Sequence, residues 1–311
     1  MKVFPSISIV VVTFNSEKYV LETLESIKSQ NYKGAMELIV SDDGSSDDTV
    51  SICNKWILSN SNRFSECKII QTPHNLGICG NYNFALQHVT GEWIKYIAGD
   101  DILLPDALNI YIQEAHRTGD KAFCSGVISF NEEPELEVKT ACYGEHYTMG
   151  EWLDSSNPEN QLRNLIFPPD NWRGLIDGPT LFIHTACLRK MGGMDMRYPM
   201  LEDLPFAINW TKRGNHLGVI KLPLVKYREY SESVSQKYAN DYFNKMAKNV
   251  FLDARIEYYY RHHDLLRAWD MRVKKVILNH SGNSLKDNLI RKIFIVSNPM
   301  SYKSIFMKIH N

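Results

Sequence analysis

The chain has 311 residues, of which 44% are hydrophobic and 11% aromatic, enough to bury a sizeable core in one large domain or two smaller ones. Its formal net charge of -1 offers no general attraction to nucleic acid, so no nucleic-acid partner is expected. No stretch approaches the roughly 20 apolar residues that span a bilayer, and the first 15 residues show no signal-peptide cleavage site. The six cysteines are scattered without a C-x-x-C pair, which argues against a zinc site or a disulfide framework and favours a cytoplasmic protein.

Strand and helix patterns alternate through the first 100 residues. Short apolar runs predict strands at 7–12, 37–40, 68–70 and 92–97, and helical spacing of apolar residues predicts helices at 17–30, 49–58 and 80–88. Such alternation is typical of an α/β fold with a mainly parallel sheet. The ligand crevice of such a sheet lies outside the carboxyl ends of its strands.

Acidic and amide side chains follow each of the four predicted strands. The segments concerned are Thr13-Phe14-Asn15, Ser41-Asp42-Asp43-Gly44-Ser45, Pro73-His74-Asn75-Leu76-Gly77 and Gly99-Asp100-Asp101. Adjacent carboxylates are costly unless a cation or a hydroxyl-rich ligand offsets their charge, so Asp100-Asp101 indicates a metal or sugar site. A turn with two solvated aspartates is the alternative. Because all four segments fall at the same edge of the predicted sheet, we favour one binding site over four independent loops.

In their order and spacing, these segments resemble the motifs of family 2 glycosyltransferases, which have the GT-A fold. The matching runs are Val-Thr-Phe-Asn, Ser-Asp-Asp-Gly-Ser-Ser-Asp-Asp-Thr, Asn-Leu-Gly-Ile-Cys-Gly-Asn-Tyr-Asn and Gly-Glu-Trp-Ile-Lys-Tyr-Ile-Ala-Gly-Asp-Asp. The resemblance covers about residues 5–235. It implies a nucleotide-sugar donor, usually UDP-linked, a Mg²⁺ or Mn²⁺ ion, and inverting transfer of one sugar to a hydroxyl. We expect a GT-A domain at 1–235, divided near residue 105 into nucleotide-sugar and acceptor halves, and a basic helical extension at 236–311.

The resemblance also implies roles for individual residues. Asp42 would accept the N3–H of uracil, since a carboxylate is an acceptor only. Asp100 would hold the donor ribose or a metal-bound water, and Asp101 would bind the cation that bridges the two phosphates. The other expected nucleotide-sugar-binding residues are Thr13, Asn15, Glu17, Asn75, Gly77, Asn83 and Arg228. For Asp42 and Asp43 the structural alternative is a turn and cap before the helix that starts at Thr49.

Three positions depart from the pattern of the relatives. Many relatives carry a further Asp where this chain has Ala98, an Arg where it has Tyr82, and a metal-binding His where it has Tyr230. The cation is therefore expected to depend on Asp101 and on the diphosphate itself. Arg228 could still clamp a phosphate.

The acceptor hydroxyl needs a general base, and Glu202-Asp203 matches the acidic pair that follows a Gly-Gly loop in the family. By that match Asp203 is the base, and Glu202 orients the acceptor or supports the loop. The alternative is a pair of acids that complement the N-terminus of a helix at 204–212. Asp177 could contact an acceptor hydroxyl or could be a turn aspartate.

The segment from Arg255 onward is basic, with a net charge of about +7, and its pattern is helical. It could lie on an anionic membrane, as a lipid-linked acceptor would require, or pack on the rest of the chain with a solvated basic face. The aromatic residues between 143 and 172 could form a sugar-stacking surface or belong to the core.

The resemblance thus implies a glycosyltransferase of O-antigen, capsule or lipopolysaccharide synthesis. Addition of a single sugar is favoured because the Gln-x-x-Arg-Trp motif of processive relatives is absent and no membrane span for export is found. Two alternatives remain: a catalytically silent nucleotide-sugar-binding protein, and a sugar-phosphate nucleotidyltransferase. The second should carry a Gly-rich basic loop after its first strand, and the run from Thr13 to Ser16 is not one.

Overall fold

The computed structural model describes residues 4–131, 153, 157–168, 176–231, 233, 241–282, 284–298 and 300. Its internal contacts divide the chain into two units, Met1–Lys237 and Tyr238–Asn311. The predicted boundary falls two residues before this division. The aromatic residues Tyr143, Tyr147, Trp152 and Trp172, which were candidates for a stacking surface, lie outside the described residues.

An eight-stranded sheet forms the centre of the first unit, in the order β3-β2-β1-β4-β7-β6-β8-β5. Its strands are β1 (Ile7–Thr13), β2 (Met36–Asp42), β3 (Glu66–Gln71), β4 (Trp93–Ala98), β5 (Ile102–Leu103), β6 (Ala122–Phe130), β7 (Phe182–His184) and β8 (Gly218–Arg228). The first four strands pair in parallel, as predicted. Beyond β4 the sheet is mixed, because β7 runs antiparallel to both of its neighbours and β5 runs antiparallel to β8.

Helices flank this sheet and also make up the described part of the second unit. In the first unit they are α1 (Val20–Lys28), α2 (Thr49–Asn60), α3 (Gly77–Leu86), α4 (Ala107–Thr118), α5 (Pro158–Ile166), α6 (Thr185–Met191) and α7 (Asp203–Lys212). In the second unit they are α8 (Asp241–Arg261), α9 (Leu265–Asn279) and α10 (Leu285–Ser297). The predicted α/β class with a helical C-terminal segment is confirmed.

The core forms where the β-branched run of β1 meets the apolar faces of the helices. Every residue from Ile7 to Val11 is buried, as a strand covered on both faces requires. Helix α1 contributes Val20, Leu24 and Ile27, which recur at helical spacing and are fully buried. This packing fixes the sheet, and with it the strand ends that carry the polar motifs.

The five described cysteines, at positions 53, 67, 79, 124 and 187, all carry free thiols. Cys142 lies outside the described residues. Among the helices of the described ranges, none combines the length and the apolar character needed to cross a bilayer.

Candidate active site

Three of the polar motifs meet at the carboxyl ends of β2, β1 and β4, which are neighbours in the sheet. Thr13 lies opposite Asp42 in the register, and its hydroxyl donates to the Asp42 carboxylate at 2.9 Å. The Gly99 amide donates to the carbonyl of Val12 at 2.9 Å, which fixes the turn before Asp100 beside the first motif. The predicted convergence of these motifs at one edge of the sheet is therefore present.

Asn15 and Glu17 tie the loop after β1 to the start of α2. Asn15 adopts a left-handed conformation, with φ of 51°, and its side-chain oxygen accepts from the Ser46 amide at 2.9 Å. Glu17 accepts from the Asp48 amide at 2.9 Å, and its own amide donates to Asp47 at 3.0 Å. The amides of Tyr19 and Val20 both donate to the Ser16 carbonyl at 3.0 Å, so a turn occupies residues 16–19 and α1 begins at Val20 rather than at the predicted position 17.

The two aspartates after β2 are buried and have different partners. Asp42 accepts from the Thr13 hydroxyl and from the Ser45 amide and hydroxyl. Asp43 accepts from the amides of Leu76 and Gly77 at 2.8 and 2.9 Å, so it caps α3. The alternative of a cap before the Thr49 helix is wrong for Asp43. Asp47 serves that helix instead, accepting from the Thr49 amide at 3.1 Å.

The third motif joins α3 to the loop that precedes Glu202-Asp203. Asn75 accepts from the Gly77 amide at 3.1 Å in a local turn. Asn83 donates to the carbonyl of Met194 at 2.9 Å and accepts from its amide at 2.7 Å. This pair of bonds fastens the Gly192-Gly193 loop to α3, so Asn83 connects α3 to the loop that leads to Glu202-Asp203.

The pair Asp100-Asp101 occupies the end of β4. Asp101 is 1% exposed, and its Oδ1 accepts from the Arg228 amide at 3.0 Å. Its Oδ2 is buried and has no hydrogen-bond partner among the described residues. Asp100 accepts from the Tyr230 hydroxyl at 3.0 Å. Burial and the neighbouring Asp100 charge raise the pKa of Asp101 well above its usual range, so this carboxylate is high in energy unless a positive group offsets it.

Arg228 is enclosed by protein groups. Its guanidinium, whose side chain is 1% exposed, pairs with Glu22 at 2.6 Å and donates to the backbone carbonyl of Asp100 at 2.9 Å. The same group stacks 4.2 Å from the ring centre of Tyr19 and 4.6 Å from that of Phe130. These contacts make Arg228 a support for the β4 turn. Its expected phosphate contact stays a prediction.

A second acidic pair begins α7. Asp203 accepts from the Leu204 amide at 2.6 Å. Burial is the main cause that raises the pKa of Glu202 to about 8 and that of Asp203 to about 7. The charge of Asp177 raises the pKa of both, and also that of Asp101.

The turn that starts at Asp177 contacts the second pair directly. A Cβ on Gly178 would lie 1.8 Å from Glu202 Oε1, so the Glu202 carboxyl rests on the bare backbone of this glycine. Lys95, in the middle of β4, donates to the carbonyls of Pro179 and Leu181 in the same turn. The sequence motifs do not single out Lys95 as a functional residue. The one sequence feature that could have drawn attention to it is its charge within the otherwise apolar strand β4.

The donor chemistry of Asp101 fits a hard divalent cation. Mg²⁺ and Mn²⁺ prefer oxygen ligands, and Asp101 Oδ2 is a carboxylate oxygen without another partner in the described ranges. No group of three or more His, Cys, Asp or Glu side chains is arranged to hold a metal within those ranges.

Solved structures of glycosyltransferases share this fold. The structure titled S. aureus TarS 1-349 in complex with UDP-GlcNAc matches with a TM-score of 0.63 at 19% identity, over 94% of this chain and 82% of that one. Mannosyltransferase PcManGT from Pyrobaculum calidifontis, in complex with GDP-Man and Mn²⁺, matches with a TM-score of 0.52 at 15% identity, over 96% and 84%.

Sequence comparison identifies the family. One relative, the GalNAc(5)-diNAcBac-PP-undecaprenol beta-1,3-glucosyltransferase of Campylobacter jejuni, is 34% identical over 112 residues, which are 36% of this chain and 35% of that enzyme. The match thus spans about a third of the relative's length. The model of the family described as "Glycosyl transferase family 2" matches residues 8–176, more than half of the chain. This chain belongs to glycosyl transferase family 2.

Proposed function

We propose that the chain is an inverting glycosyltransferase that moves one sugar from a UDP-sugar to a hydroxyl of a saccharide acceptor. The observation that carries this proposal is that the turn 177–181 contacts Glu202 at Gly178 and is bonded by Lys95 of β4, the strand that leads to Asp100-Asp101. In this proposal Asp100-Asp101 serves the donor diphosphate, and Glu202-Asp203 serves the acceptor. The family match and the UDP-GlcNAc complex of TarS support this assignment.

Asp203 is the proposed general base. It takes the proton of the acceptor hydroxyl while the acceptor oxygen bonds to the anomeric carbon and the bond from that carbon to UDP breaks. The proton ends on the Asp203 carboxylate, the electron pair leaves with UDP, and one displacement inverts the anomeric centre. A carboxyl whose pKa lies near neutrality is well matched to this task. Glu202, resting on Gly178, orients the acceptor.

The proposed donor site follows the strand ends. Asp42 recognises uracil beside Thr13, and Asp100 holds the ribose. The loop residues Asn15, Glu17, Asn75, Gly77 and Asn83 shape the pocket around the nucleotide, as their contacts with neighbouring loops support. Asp101 would hold Mn²⁺ or Mg²⁺ through Oδ2, and such a cation would neutralise charge on the departing diphosphate.

The decisive experiment measures transfer from a panel of UDP-sugars with Mn²⁺ by the wild type and by Asp101→Ala and Asp203→Ala. Loss of a positioned base typically costs 10²- to 10⁴-fold in rate, so Asp203→Ala should fall by at least about 10². Asp106→Asn is the control, because Asp106 is exposed, lies outside the motifs and has a left-handed backbone that Asn tolerates. Wild-type turnover by the two folded alanine variants would refute the assigned roles.

The same experiment separates the proposal from a catalytically silent binding protein. That alternative has a specific observation in its favour, since Tyr230 occupies an oxygen of Asp100 where relatives carry a metal-binding His. Calorimetry that detects UDP-sugar binding, combined with no turnover on any acceptor, would favour the silent protein.

We also propose that the acceptor is lipid-linked, in O-antigen, capsule or lipopolysaccharide synthesis, and that the chain contacts the inner face of the plasma membrane. The polyprenol-linked substrate named for the C. jejuni relative supports this. Helix α10 supplies a surface, because none of its residues is buried. Leu285, Leu289, Ile293 and Val296 are 90%, 60%, 56% and 64% exposed, and they recur on one face of the helix. Lys286 and Lys292 flank this apolar stripe, as anionic lipid would favour.

A further inference from the structure

Lys95 is the buried group that this mechanism leaves unexplained. It is 0% exposed and lies between Ile9 of β1 and Phe182 of β7 in the register of the sheet. Burying an ammonium among such neighbours is costly unless it gains strong hydrogen bonds or a nearby opposite charge. A buried lysine at this position therefore requires hydrogen-bond acceptors or an opposite charge close to its ammonium group.

The hydrogen-bond partners of Lys95 belong to one short segment, the turn 177–181. Its Nζ donates to the carbonyl of Pro179 and, at 3.5 Å, to that of Leu181. The intervening carbonyl, of Thr180, accepts from the hydroxyl of Tyr111 at 2.6 Å. Lys95 also lies 5.4 Å from the centre of the Tyr111 ring. Three successive carbonyls of the turn are thus held by two buried side chains.

The opposite side of this turn belongs to the candidate active site. Gly178 supports the Glu202 carboxyl, since a Cβ there would come within 1.8 Å of it. Asp177 acts electrostatically on Glu202, Asp203 and Asp101. A displacement of the turn would therefore move the backbone that supports Glu202 and the charge of Asp177 that acts on both acidic pairs.

We propose that Lys95 is a positioning residue of the transfer reaction, which anchors the turn 177–181 from the core so that Gly178 and Asp177 hold the acceptor carboxylates in place. This inference rests on the proposed glycosyltransferase function and extends it to a residue outside the family motifs. Electrostatics support the arrangement: Lys95 and Asp101 attract each other, and burial lowers the pKa of Lys95 to about 7. The groups that face Lys95 are Asp101 from the β4 turn and Tyr111 from α4.

The test compares three variants of the full chain. Lys95→Met releases the carbonyls of Pro179 and Leu181, Tyr111→Phe releases that of Thr180, and neither substitution changes a carboxylate. Ile9→Val is the matched control, because Ile9 is the register partner of Lys95 in the same core and has no assigned role in the turn. For each variant the measurements are kcat and KM for transfer, UDP affinity by calorimetry, and the melting temperature.

A loosened turn should misplace the acceptor carboxylates and leave the nucleotide pocket in place. Lys95→Met should lower kcat by about tenfold or more, since small misplacements of reacting groups cost up to 10²-fold. Tyr111→Phe, which leaves the attraction between Lys95 and Asp101 in place, should lower kcat by a smaller factor and change UDP affinity by less than about threefold. Ile9→Val should lower the melting temperature without lowering kcat.

Wild-type kcat in folded Lys95→Met overturns the inference, as does an equal fall in Ile9→Val. If Lys95→Met does not fold, Lys95→Gln takes its place; if neither variant folds, Lys95 belongs to the core alone and the inference fails. A wild type that binds UDP and transfers no sugar would instead refute the proposed function, on which the inference depends.

Discussion

Burial determines the acid-base behaviour of Asp203, whose side chain accepts a hydrogen bond from the neighbouring Leu204 amide. Because burial and the charge of Asp177 disfavour the ionised form, its pKa is raised from 3.8 to about 7. A general base must be ionised, so kcat/KM should rise with pH and level off above about 7. Measurement of kcat/KM between pH 5 and pH 9 tests this expectation. The apparent pKa of the rising part of the curve belongs to the Glu202-Asp203 pair as a whole. A limb near pH 4 would show that Asp203 is not held in this environment.

Glu202 should make the protein less stable as the pH rises. Its pKa is about 8 in the folded chain and about 4.3 in an unfolded one. Between these values the unfolded chain releases a proton that the folded chain retains, so the free energy of unfolding falls with pH until the folded group ionises. Glu202→Gln cannot ionise and should exceed the wild type in melting temperature by a margin that grows from pH 4.5 to pH 8. A margin that stays constant over this range would contradict the raised pKa.

At the scale of elements, Asn83 holds the start of the loop between α6 and α7 through two hydrogen bonds to Met194. Gly192 and Gly193 both have left-handed backbones, with φ of 90° and 84°. A Cβ on Gly192 would meet no atom within 4 Å, whereas one on Gly193 would lie 2.2 Å from Asn83 Oδ1. Gly192→Ala should therefore cost only the backbone strain, about 1–2 kcal/mol.

Gly193→Ala should cost more than its neighbour, because it adds the loss of two hydrogen bonds between Asn83 and Met194, each worth about 1 kcal/mol. It should also lower kcat, since the released loop leads to Glu202-Asp203, and Gly192→Ala should leave kcat close to that of the wild type. Denaturant unfolding and transfer assays check both expectations. Equal stability and equal kcat for the two variants would show that Asn83 does not hold the loop.

Elements and motifs were predictable from the sequence to the extent that local pattern determines them. The apolar runs located the first four strands, and their parallel order brought Thr13 and Asp42 together. Contacts between residues that are distant in the sequence produce no recognisable sequence pattern. Asp43 caps α3, 33 residues away from its Leu76 partner, and Lys95 bonds a turn 84 residues away. The first pairing depends on how the end of β2 meets α3, and the second on how β4 meets the segment before β7; hydrophobic periodicity encodes neither.

At the scale of the molecule, positive charge is concentrated at the C-terminus. The segment from Arg255 to Asn311 carries about +7 although the whole chain is at -1, so the remainder is acidic. An anionic surface would attract the basic C-terminal segment and repel the acidic remainder of the chain, over a distance of about 8 Å at physiological ionic strength. A membrane-bound orientation would thereby be selected by charge, with α10 presenting the apolar stripe.

This proposed membrane contact predicts the behaviour of a double variant in flotation with anionic vesicles. Leu289→Gln with Ile293→Gln removes two exposed apolar side chains from the stripe, each worth about 1.5–3 kcal/mol if fully buried in lipid. Recovery with vesicles should fall at least about tenfold, because a tenfold change corresponds to about 1.4 kcal/mol, about half of the lower value for the two side chains together.

The control combines Leu58→Gln with Leu222→Gln, leucines that are 84% and 58% exposed outside the stripe. Added salt should lower wild-type recovery, because Lys286 and Lys292 each contribute about 1 kcal/mol near an anionic surface. Equal recovery of the two double variants would show that α10 does not bind the membrane.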